Sequence, residues 1–202
     1  MTFWQRSHRK SALKSGWNTE PIAVFVFRCA RDLTKGSEVM NKDISKCIEV
    51  YKDQLELGDI QVAYSALMKY MAELKTKFPQ QYLTGHISFG SLDFTYFSFY
   101  NQYLRNHKLR FGIILNHKKM QIELWLMGQN ASIQKTYWEI LKNTDWNKNR
   151  KAMPKYSVLE ICLVDELDFE HKDKMTATIL GKANSLAIQI EKFLVEQGSN
   201  KG

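Results

Sequence analysis

A chain of 202 residues, 44% hydrophobic and 25% charged, is long enough for one well-filled core and lies far from the composition of a disordered chain. Cys29, Cys47 and Cys162 are scattered without a CxxC pair, which excludes a disulfide framework or cysteine zinc site and fits a reducing, cytoplasmic compartment. The net charge of +8 invites nucleic acid, but seven of the 29 basic and three of the 21 acidic residues fall within 1–39, leaving an excess of only four elsewhere.

Residues 1–39 are basic, carry Ser and Trp, and show no amphipathic period, so they read as an N-terminal extension outside the fold. The apolar run 22–27 is too short for a signal-peptide core, and no small-residue cleavage site follows it. The Arg and Ser content suits a mitochondrial presequence better, but Glu20, Asp32 and the strand-like stretch 23–27 oppose that idea. Two accounts stand. The segment is a disordered basic tail, or it is upstream sequence read in frame before a natural start at Met40. The second account notes that Lys35-Gly36-Ser37-Glu38 can be encoded by a purine-rich stretch resembling a bacterial ribosome-binding site.

The expected globular domain covers 40–198. Over 43–57, Ile44, Cys47, Ile48, Tyr51 and Leu55 recur at helical spacing, with Gly58 as the stop. Asp59 offers a cap for a second helix with the stripe Ile60, Ala63, Tyr64, Leu67, Met68, Met71 and Leu74, ended by Pro79. The short link predicts an antiparallel αα-hairpin. Aromatic and β-branched residues then predict a strand at about 92–99, with a shorter one near 86–89.

Residues 109–116 and 119–127 form the clearest hairpin. Pairing Phe111 with Leu124, Ile113 with Ile122 and Leu115 with Met120 makes every partner on one face apolar. Asn130 caps a helix to about 143, residues 157–164 make a further strand, and 173–196 a closing helix. The fold expected is α+β: an antiparallel-rich sheet of about four strands with helices packed on it, in the order ααβββαβα. No apolar run approaches the roughly 20 residues of a membrane-spanning helix, so no membrane partner is expected.

The hairpin's other face carries Arg110, Gly112 and Ile114, expected opposite Trp125, Glu123 and Gln121. That pairing stacks Arg110 on Trp125 and leaves room above Gly112 for a small polar ligand. The competing view is an ordinary half-covered sheet face with a diagonal Arg110–Glu123 ion pair. Asp93, with Thr95 on its face, is the second candidate, because an acid among strand aromatics needs a partner. A turn role with a backbone N–H as that partner is the plainer explanation.

The five His residues never occur at HxH or HxxxH spacing, so no metal or cofactor is expected, and His117 is expected to be exposed in its turn. No nucleophile elbow, P-loop or GxGxxG occurs, so no catalytic residue can be nominated. Tyr137, Trp138 and Trp146 among Lys142, Lys148, Arg150 and Lys151 give nucleic acid weak support; a solvated loop held down by its Trp explains them equally.

The run Gly90-x-x-Asp93-x-Thr95-Tyr96-Phe97, then Glu123-x-Trp125-x-x-Gly128, Tyr137-Trp138 and Asp145-Trp146-Asn147 resembles a bacterial family, domain of unknown function 7000. The resemblance spans about 40–197 and implies no activity. The order αβββαβ also resembles the core of restriction-endonuclease-like folds, whose third strand needs an acid-x-Lys to hold a metal and activate water. Here Glu123-Leu124-Trp125 keeps the acid and replaces the Lys, and 109–116 has no acid at all. The leading expectation is a non-catalytic bacterial cytosolic domain binding a small polar ligand or protein partner at Asp93, Thr95, Arg110, Gln121, Glu123 and Trp125. The alternative is a divergent metal-dependent nuclease or nucleic-acid binder.

Overall fold

The computed structural model describes residues 43–199; the expected extension 1–39 and the start at Met40 lie outside them. Helix α1 (Ile44–Leu57) begins where the Asp43 side chain accepts from the Ser45 N–H, and ends where Gly58 turns left-handed at φ 84°. Gly58 also caps α2 (Asp59–Thr76), so Asp59 is the first helical residue and not the expected cap. The antiparallel αα-hairpin is not formed. Every α1 residue is exposed except half-buried Gln54, so its apolar stripe does not lie on α2. Helix α2 enters the core only in its second half, through Leu67, Tyr70, Met71 and Leu74.

Five strands follow, one more than expected: β1 (Leu83–Ser88), β2 (Phe94–Tyr100), β3 (Leu109–Asn116), β4 (Gln121–Gly128) and β5 (Leu159–Val164). They form one antiparallel sheet in the order β1-β2-β3-β4-β5. A short helix, α3 (Gln102–Asn106), joins β2 to β3, with Asn101 accepting from the Leu104 N–H. Helix α4 (Ala131–Leu141) starts at the expected cap Asn130, which accepts from Ile133, and α5 (Lys172–Ser199) closes the fold.

Alternation on the central strands sets the two faces of the sheet. Phe97, Phe99, Phe111, Ile113, Leu115, Ile122, Leu124 and Leu126 are fully buried against α2, α4 and α5, which supply Met71, Leu74, Leu141, Ile179, Ala183, Ala187 and Ile190. Each large side chain so buried stabilises the fold by about 1.5–3 kcal/mol. Phe78, just past α2, presses its edge on Phe97 at 5.6 Å between ring centres and lies 4.4 Å from Phe99.

The β3–β4 register differs from expectation. Phe111 faces Leu126, Ile113 faces Leu124 and Leu115 faces Ile122, a slip of two residues. The cause is the turn. Four residues, 117–120, connect the strands, with Met120 left-handed at φ 52° and the Lys119 N–H donating to Asn116 Oδ1 at 3.2 Å. A two-residue slip preserves every face while exchanging every partner, because side chains alternate with period two.

Candidate functional site

The face turned away from the core is built by Phe94, Tyr96, Ser98 and Tyr100 of β2, Arg110, Gly112, Ile114 and Asn116 of β3, and Gln121, Glu123, Trp125 and Met127 of β4. Tyr96, Ile114, Trp125 and Met127 form a second buried cluster, with Phe94 and Tyr156 packed on it. Trp125 meets the Phe94 ring edge-on at 5.0 Å.

Glu123 is 4% exposed, and both its oxygens are engaged. The Trp125 indole N–H donates to Oε2 at 2.7 Å, the Asn116 amide donates to Oε1 at 3.1 Å, and Lys119 Nζ lies 3.5 Å away. Charge-assisted donors of this kind are what a buried carboxylate requires.

Arg110 has the opposite fate. Its Nε is buried with no hydrogen-bond partner, and among the described residues no acidic side chain pairs with it. Burial holds its pKa below the usual guanidinium value, against the opposing pull of the Tyr96 and Tyr100 hydroxyls. Because Glu123 stands opposite Ile114, it is four residues along the strand from Arg110, or about 13 Å. The expected ion pair is therefore not made. Arg110 faces Met127 and not Trp125, Trp125 faces Gly112, and Gln121 faces Asn116. The gap expected above Gly112 is filled: a Cβ there would stand 2.7 Å from the Met127 methyl and 3.0 Å from Ile114 Cδ1.

Asp93 and Thr95 are not on this face. Thr95 is buried on the helical side, where its hydroxyl donates to the Met68 sulfur at 3.7 Å and meets His117 Nε2 at 2.9 Å. Asp93 is a turn residue. Its Oδ1 accepts from the N–H groups of Ser91 (3.0 Å) and Phe94 (2.7 Å), and its carbonyl accepts from the His117 N–H. The six candidates thus divide: Arg110, Gln121, Glu123 and Trp125 share one surface, and Asp93 and Thr95 serve the other side.

His117 was missed as an interior group. It is 8% exposed, because the longer turn folds it back against Tyr64 at 6.0 Å between stacked rings. Burial lowers its pKa, with Asp93 opposing. The basic loop after α4 is largely neutralised: Lys142 pairs with Glu139, Lys148 with Asp145 and Arg150 with Glu160. Trp146 anchors the loop by packing edge-on to Phe193 at 5.7 Å. Among the described residues no group of three His, Cys, Asp or Glu could hold a metal ion.

Comparison with known proteins bears on the same span. The family described as Domain of unknown function (DUF7000) matches residues 44–194, three quarters of the chain. The chain belongs to that family. The DUF7000 match takes in α1 through most of α5, and hence both the half-buried Arg110 and the Glu123 cluster. No curated protein and no solved structure matches. Among the described residues of this DUF7000 domain, no helix is long and apolar enough to cross a membrane.

Proposed function

We propose that this DUF7000 domain is a non-catalytic binding module of the bacterial cytosol that takes a small polar ligand through an anionic group at Arg110. The observation supporting this is a half-buried arginine whose Nε–H is buried without a partner, with no acidic neighbour among the described residues. Leaving a buried N–H without a partner costs about 1–3 kcal/mol, which a carboxylate or phosphate accepting from the guanidinium fork would offset. Tyr96 and Met127 would wall the ligand, and the Glu123–Trp125–Asn116 network would keep the far end of the same face rigid. A carboxylate presented by a protein partner offers the same chemistry.

The test is thermal denaturation against a panel of small carboxylates and phosphates, with Arg110→Met as control. A melting temperature that rises with anion concentration, and loses that response in the variant, is expected. A flat response across the panel overturns the proposal.

The alternative, a metal-dependent nuclease or nucleic-acid binder, has less support. Asp93 and Glu123 lie on opposite sides of the sheet, and each already accepts hydrogen bonds. It predicts magnesium- or manganese-dependent cleavage of nucleic acid that Glu123→Gln abolishes.

A further inference from the structure

Among the described helices, α1 alone buries no side chain. Its apolar residues stand in solvent: Ile44 is 68% exposed, Ile48 61%, Tyr51 62% and Leu55 37%. A 14-residue helix is at the length where an isolated helix is marginal in water, and its Ile, Val and Tyr content makes it poorer still. The helix nevertheless lies inside the span that matches the family, so its stripe is part of the domain. A partner surface is the physical requirement of such an element.

We propose that α1 pairs antiparallel with α1 of a second copy of this chain. The stripe is its own complement. Ile44, Ile48, Tyr51 and Leu55 are spaced four, three and four apart, which reads identically in either direction. At 100° per residue they fall within about 60° of arc. A two-fold axis between residues 49 and 50 sets Ile44 against Leu55 and Ile48 against Tyr51, so that every stripe residue meets an apolar one.

The charges agree with this arrangement. On the flank holding Lys52 and Glu49, where Lys52 lies 3.6 Å from Glu56 of its own helix, antiparallel pairing also brings Lys52 of each copy within reach of Glu49 of the other, at two symmetric positions. The helix macrodipoles oppose favourably. The placement of the domain favours this form over the parallel one: the body follows α1 at its C-terminal end, so parallel helices would bring two bodies to the same end. Antiparallel helices place the bodies at opposite ends.

Sedimentation of the full chain across micromolar concentrations tests the pairing, with Ile48→Asp and Tyr51→Lys as separate variants. Both side chains are exposed in the single chain, so a monomer would fold equally well with either change, and circular dichroism and melting temperature verify that. A reversible dimer whose dissociation constant rises roughly 100-fold in each variant is expected. A monomeric wild-type chain, with α1 covered by residues 1–42 or by another protein, overturns the proposal, as does a dimer indifferent to both substitutions.

Orientation is read by cysteine cross-linking in a chain whose three natural cysteines are Ser. Ile44→Cys with Leu55→Cys should give a disulfide-linked dimer under mild oxidation. Ile44→Cys alone should not, because the two copies of residue 44 would lie about 16 Å apart along the axis. Cross-linking by the single variant overturns the antiparallel arrangement.

Discussion

Arg110 and Glu123 are opposite charges on one sheet face that do not meet, and each therefore has its own energetics. Glu123 is saturated by donors, whereas Arg110 carries an unpaired N–H into the interior. Replacing Arg110 with Met keeps the bulk and removes the half-buried charge with its unpaired Nε–H. The variant is expected to be more stable than the parent by about 1 kcal/mol in urea denaturation without ligand. A stability loss of that size would instead mark Arg110 as a structural residue.

His117 gives a pH signature. Its folded-state pKa lies below the ordinary 6.5, so the proton favours the unfolded chain. Its contribution is complete above that value and declines as pH falls through the lower folded-state pKa. His117→Gln, able to keep a bond to Thr95, should lose the portion of acid sensitivity that sets in below pH 6.5, read from melting temperatures on either side of it. The sequence correctly placed Arg110, Glu123 and Trp125 on one surface, because alternation survives a two-residue slip. It misjudged their distances, because those depend on register.

At the level of elements, the β3–β4 turn decided that register. Nothing in Asn116-His117-Lys118-Lys119-Met120 carries the Asn-Gly or Asp-Gly signal of a two-residue turn, and the loop takes four residues instead. One of them, Met120, is left-handed at φ 52° and 46% exposed. Met120→Gly should remove that strain and raise stability by about 1 kcal/mol, measured by denaturant unfolding.

The long elements were legible because their periods persist: α1, α2, α4, α5 and the central strands all lie within a few residues of expectation. Of the short ones, β1, expected near 86–89, is present at Leu83–Ser88, whereas α3 was not foreseen. Helix α3 is only five residues long, less than two turns, and β1 breaks its alternation at an irregularity between Thr84 and Ile87. The exposed face of α1 was invisible for another reason: a helical stripe announces that something covers it, without saying what.

Across the molecule, Glu191 of α5 ties distant parts together. It accepts from the Asn101 amide at 2.6 Å, before α3, and from the Tyr82 hydroxyl at 3.3 Å, before β1. Burial raises its pKa above the ordinary carboxyl value, and burial with this neighbour pushes Tyr82 up to about 12. The proton therefore favours the folded state. That contribution is complete below the unfolded value of 4.5 and is lost as pH rises through the higher folded value. Glu191→Gln copies the protonated form, so it should melt above the parent at neutral pH and match it below pH 4.5. A variant that melts lower at neutral pH would show that the ionised carboxylate stabilises the joint.

The unbroken strand order β1 to β5 also determines how the chain can assemble. Neighbouring strands are consecutive in sequence, so three of the four pairings close across short connections, whereas β5 must return across the thirty residues 129–158. Closing that span costs about 2 kcal/mol more entropy than closing the four-residue turn. The last strand should therefore dock late, onto a ribbon already formed, and its amides should gain protection after those of β3 and β4 in pulse-labelled hydrogen exchange during refolding. Simultaneous protection of all five strands would mean that the sheet condenses in one step.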